Sequence, residues 1–193
     1  MSKLISALLI ILSSSILFAQ STSTEMISAL VGISDKPEIN DSLLNISTVI
    51  VDSLMQNLYR PEYNIFIDVI NLSRLPKTFG IICEKVNSAK SLNTYFKYLI
   101  QYQNILYSVA DSKYEMKSLF EKNPELMLDE IDKYDNEKKK YLLEQLGIGL
   151  AAFYCFNDKY SCSKYFYDLY PSLKKSKHKI SLKFLYRFLI DYD

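Results

Sequence analysis

Glycine is scarce in this chain of 193 residues: it has four, where average usage is about 7%. Hairpins and tight β-turns consume glycine where φ is positive, so the scarcity favours helices. Tryptophan is absent, and there are only three cysteines and one histidine. Structural zinc needs four ligands, so three scattered cysteines and His178 make a poor set, and neither a metal nor a cofactor is expected. His178 lies within Lys174-Lys175-Ser176-Lys177-His178-Lys179. Among those cations it is expected on a solvated loop, without the orienting acid and cleft that a catalytic imidazole needs. A nucleophilic Cys83 would depend on that same distant histidine as its base. No glycine cluster leads into a lysine as a phosphate-binding loop requires, and Gly147-Ile148-Gly149 falls in an apolar helical stretch and reads as packing. A charge excess is lacking too. Lys plus Arg number 23 against 22 Asp plus Glu, a formal charge of +1, which gives no general pull towards nucleic acid or anionic membrane. Hydrophobic residues are nevertheless 49% of the chain, enough to bury a real core and to exclude global disorder.

Lys3 is the only charge before Glu25, and Leu4 to Phe18 is apolar with a Ser13-Ser14-Ser15 break before Ala19. A charged start, a short apolar stretch and a small-residue exit form the pattern of a secretory signal peptide, with 1–19 removed after Ala19. The alternative is an uncleaved anchor. No cysteine follows the apolar stretch, so a bacterial lipid anchor is not expected. Export makes a Cys155–Cys162 disulfide the expected use of the close pair, and leaves Cys83 either buried or able to pair with another chain.

Residues 20–36 read as a weakly ordered leader and 37–193 as one domain. From Asp41 the helical period is clear: Leu43, Leu44, Val49 or Ile50, Leu54 and Leu58 recur at spacings near three and four, with Asp41 or Ser42 as the cap. Ile65 to Leu72 follows, and Pro76 is expected to end it. Leu92 to Ala110 is the strongest helical pattern, with Tyr95, Tyr98 and Tyr102 on a stripe beside the apolar face. A short helix stops at Asn123-Pro124, and another runs from Leu126 to Tyr134. Lys138 to Phe156 is long, and its small residues at 147, 149, 151 and 152 offer a smooth side for a second helix. Tyr160 to Tyr170 and Ile180 to Ile190 complete the pattern. No β-alternation persists, so the expected fold class is all-α, a compact bundle or short solenoid of eight to nine helices.

Within 150–175, Ala151, Tyr154, the Asn157-Asp158 turn, Tyr160, Ser163 and Tyr167 resemble the middle of a tetratricopeptide repeat. Tyr170 is too large for the small position of that repeat, Pro171 arrives about four residues early, and no second copy follows at the 34-residue period. The resemblance implies a helical hairpin with a binding role. An ordinary αα-hairpin accounts for the same residues, and in either case a Cys155–Cys162 bridge would staple the turn, adding about 2–3 kcal/mol.

Two charged segments stand out. Glu121, Glu125, Asp129, Glu130, Asp132, Asp135 and Glu137 gather between 121 and 137, while Lys174, Lys175, Lys177, Lys179, Lys183 and Arg187 form a basic cluster. Runs of this kind are usually solvated faces, and together they make the chain a dipole suited to a charged partner. The chain also has 16 tyrosines, a residue that favours interfaces because it joins a large apolar area to a polar tip. The partner-binding candidates are therefore Tyr154, Tyr160, Tyr165, Tyr167, Tyr170, Lys174, Lys175 and Lys177. The expected function is an exported, non-enzymatic protein-interaction module of the periplasm or cell exterior, with a protein and not a nucleic acid as partner. Its sharpest form is an immunity-type protein that neutralises a toxin by binding it. The alternatives are an envelope-active hydrolase using carboxylates near 121–137, or a structural envelope protein.

Overall fold

The structure, a computed structural model, describes residues 23–58, 65–103, 112–154 and 162–192. The expected signal peptide, the Asn157-Asp158 turn and the Cys155–Cys162 bridge lie outside the described residues. These residues form nine α-helices and no strand: α1 (Ser23–Ser34), α2 (Asp41–Leu58), α3 (Ile65–Val86), α4 (Ala89–Gln101), α5 (Ser112–Lys122), α6 (Pro124–Ile131), α7 (Asn136–Tyr154), α8 (Cys162–Leu169) and α9 (Lys179–Tyr192). A short 3-10 turn, Pro171–Lys175, joins α8 to α9. The all-α expectation holds.

The joints follow local rules. Asn40, not Asp41 or Ser42, caps α2: its Oδ1 accepts from the Leu43 N–H at 3.0 Å. The cap must precede the first helical residue, which is Asp41 itself. Between α3 and α4 the chain turns in two residues. Asn87 takes a positive φ of 45°, which asparagine tolerates at a helix end, and Ser88 opens a reciprocal capping box with Ser91. Asn123 caps α6 through an acceptor bond from Leu126 N–H at 3.1 Å, with Pro124 in the first turn where a missing N–H costs nothing.

Packing departs from the sequence pattern in two places. Most of the segment expected as a weakly ordered leader is helix α1, whose Met26, Leu30 and Ile33 are buried in the core. Lys85 fastens the end of α1 from α3, donating to the carbonyls of Ser34 at 2.6 Å and Lys36 at 2.8 Å. Pro76 does not end its helix; α3 runs through it. An interior proline costs about 3 kcal/mol, but Leu75, Phe79, Ile82 and Cys83 are all buried along this helix, and their burial outweighs that cost.

α3 lies against α1, α2, α4 and α5, and α7 lies against α4, α5, α6 and α9. The stripe of Tyr95, Tyr98 and Tyr102 is interior, with Phe79 edge-on to Tyr98 at 5.3 Å between ring centroids. Cys83 is fully buried, and burial pushes its thiol well above the ordinary range, so it is inert as a nucleophile. The smooth side of α7 is occupied at Gly147. A Cβ there would stand 2.5 Å from Cδ1 of Phe188 on α9. Gly147→Val is therefore expected to cost about 1–3 kcal/mol by overpacking. Adding Phe188→Ala should remove most of that increment, as urea unfolding of the single and double variants would measure. An undiminished increment in the double variant would refute the contact.

Candidate functional site

α6 carries Glu125 and Asp129, and Asp132 caps its C-terminal end; spacings of four and three put the three carboxylates on one side. His178 and Lys177, just before α9, meet that side. His178 is a correction to the sequence reading: its side chain is only 4% exposed, not on a solvated loop. Its Nδ1 lies 2.5 Å from Oδ2 of Asp132, and its Nε2 lies 3.2 Å from Asp129 and 3.7 Å from Glu125. Nε2 makes no hydrogen bond and is closed off from solvent. Asp132 also accepts from Ser181 Oγ at 2.6 Å and pairs with Lys139 of α7 at 3.3 Å. Lys177 reaches Asp129 at 2.6 Å. The expected dipole is thus partly closed within the protein, because the acidic and basic segments pair with each other where they meet.

Burial raises the Asp132 carboxyl, but hydrogen bonds from Ser181, His178 and Lys139 outweigh it and hold the group below its ordinary value. The Lys177 hydrogen bond lowers Asp129 in the same direction. A carboxyl lowered in the folded state contributes stability above its unfolded pKa, about 3.9, and loses it as pH falls through the folded value. Stability is therefore expected to drop as pH falls below about 4, and the Asp132→Asn variant should show a shallower drop. Urea midpoints across that range provide the check; parallel curves for the two proteins would rule Asp132 out as a source.

On the other side of the 3-10 turn, α8 and α9 enclose a groove of about 420 Å³. Leu173 and Leu182, both buried, line it together with Tyr167 and Tyr186, whose ring centroids are 5.9 Å apart. Lys174, Lys179 and Lys183 complete its lining and are exposed. The Lys179 ammonium donates to the Lys174 carbonyl at 3.2 Å. Lys174 lies 3.6 Å from exposed Asp168, a weak surface pair.

The sequence candidates divide. Tyr167 and Lys174 line the groove. Tyr170 is buried behind it, edge-on to Phe120 at 5.0 Å and beside Phe166 at 5.5 Å. Lys175 is exposed but is not in the groove lining, and Lys177 is committed to Asp129. Tyr160 and the side chains of Tyr154 and Tyr165 lie outside the described residues. Tyr186 was not among the candidates. Its signal was its spacing from Lys179 and Lys183, seven and three residues, which puts all three on one face of α9.

Among the described residues, no group of three or more His, Cys, Asp or Glu is arranged to hold a metal ion, and no helix is long and apolar enough to cross a membrane. Comparison with protein-family models, with curated proteins and with solved structures finds no match to this chain.

Proposed function

We propose that the chain is an exported, non-enzymatic protein-interaction module whose binding face is the groove between α8 and α9. The observation that carries this reading is the meeting of two tyrosines and three exposed lysines over a leucine-lined groove. Aromatic rings give contact area at low entropic cost, and lysines at the edge steer an oppositely charged partner. The N-terminal pattern supports a site of action in the periplasm or at the cell exterior. Covering the active site of a toxin is the sharpest form of this role. The carboxylates of Glu125, Asp129 and Asp132 face His178 and Lys177, which favours a binder over a hydrolase built on that segment.

The test is affinity isolation of the tagged full chain from the envelope fraction of its native host, beside the Lys179→Glu/Lys183→Glu variant. The expected result is one stoichiometric partner held by the parent and lost by the variant, with both melting alike. No stoichiometric partner, or equal retention by both proteins, would count against the reading.

A further inference from the structure

Most lysines on this surface have a carboxylate beside them. Lys90 pairs with Asp41 at 3.0 Å, Lys117 with Glu121 at 2.7 Å, Lys122 with Glu84 at 3.1 Å, and Lys138 with Asp135 at 2.6 Å. In the groove, two of the three lysines do not pair in this way. Lys179 and Lys183 make no ion pair among the described residues, and neither does Arg187, which follows Lys183 by one turn of α9. Lys174, the third lysine of the groove, lies 3.6 Å from exposed Asp168, a weak surface pair. Beside Lys179 stands Ile180, 84% exposed, an apolar side chain left in water at the first turn of α9. Uncompensated cations, an apolar groove and an exposed isoleucine therefore share one end of the molecule.

We infer that the groove takes an acidic polypeptide segment carrying an apolar or aromatic anchor. This rests on the reading of the chain as an interaction module. The anchor would lie against the touching Tyr167 and Tyr186 rings, above Leu173 and Leu182. The carboxylates of the segment would meet Lys174, Lys179 and Lys183, with Ile180 extending the apolar contact. Charge complementarity selects the acidic partner, because Lys179 and Lys183 lack a neutralising neighbour among the described residues and Lys174 has only a weak surface pair, which a carboxylate-rich chain would supply or replace. The dimensions favour a peptide over a nucleic acid strand. A volume of about 420 Å³ is that of a pocket for a few side chains, whereas single-stranded nucleic acid needs a basic track over several nucleotides. The overall charge of +1 supplies no such track.

The experiment selects peptides from a phage-displayed random dodecamer library against the full chain, then measures the selected peptides by fluorescence anisotropy. The expected outcome is enrichment of sequences with several Asp or Glu around one aromatic or aliphatic residue. Their affinity should fall at least about tenfold in Lys179→Glu/Lys183→Glu and weaken in high salt. Tyr186→Ala, which leaves the charges in place, should weaken the same peptides. Enrichment of neutral or basic peptides, no enrichment, or binding indifferent to the lysine reversal would overturn the inference. So would tighter binding of a short oligothymidylate in the same buffer, which would assign the groove to nucleic acid. A cellular partner that depends on the groove but presents a neutral or basic surface would overturn the acidic assignment while leaving the interaction role intact.

Discussion

Asp132→Ala is expected to lower the free energy of unfolding by about 3 kcal/mol. Asp132 serves three donors from three parts of the chain: His178 ahead of α9, Ser181 within α9, and Lys139 on α7. Its loss leaves the His178 ring with one nitrogen closed off from solvent and the other without an acceptor. Removing the carboxylate breaks its hydrogen bonds to Ser181, His178 and Lys139 and leaves a buried ring nitrogen unsatisfied, at a cost of about 3–5 kcal/mol in all. Asp132 is 30% exposed, so the lower end of that range applies. Ser181→Ala, which removes one hydrogen bond, should cost only about 1 kcal/mol. The double variant Asp132→Ala/His178→Ala should cost less than the sum of its parts, because the two side chains share one interaction. Urea unfolding of the four proteins measures all of this. An Asp132→Ala effect within about 0.5 kcal/mol, the scale of an indifferent surface substitution, would show that the junction does not hold α9 in place.

Phe120→Ala is expected to be as damaging, costing about 3–5 kcal/mol by the cavity it leaves. Phe120 is fully buried on α5, near-parallel to Phe166 at 6.4 Å and edge-on to Tyr170. Those two residues belong to α8 and the chain just after it, so the cavity opens behind the groove. Two readouts should move together: the urea midpoint falls, and backbone amides of α8 exchange faster relative to those of α2. A large loss of stability with unchanged relative exchange in α8 would mean that Phe120 supports the core without positioning the groove.

The helices were legible because their signals are local. Apolar spacing marked α2, α4 and α7, Asn123-Pro124 marked the boundary between α5 and α6, and the small residues of α7 foretold the close approach of Phe188 at Gly147. Pro76 misled because a local propensity was weighed without the burial along α3 that overrides it. The tyrosine count misled in a related way. Tyr170 was a surface candidate and is buried, and only the fold distinguishes a buried tyrosine from one at a surface. His178 was read through the lysines beside it in sequence, whereas its partners, Asp129 on α6 and Asp132 at the cap of α6, come more than forty residues earlier. The groove was half legible. Tyr167 and Lys174 were identified, but the wall formed by Tyr186 required knowing that α9 folds back onto α8.

The central claim is that the α8–α9 groove is the face that meets a partner. Site-specific photocrosslinking tests it most directly. A photoreactive phenylalanine derivative replaces Tyr186 in the full chain, and in a second protein replaces exposed Lys97 on α4. Both are expressed in the native host and irradiated. The account predicts one discrete crosslinked partner from position 186 and none from position 97. A partner captured from position 97 but not from 186 would contradict it.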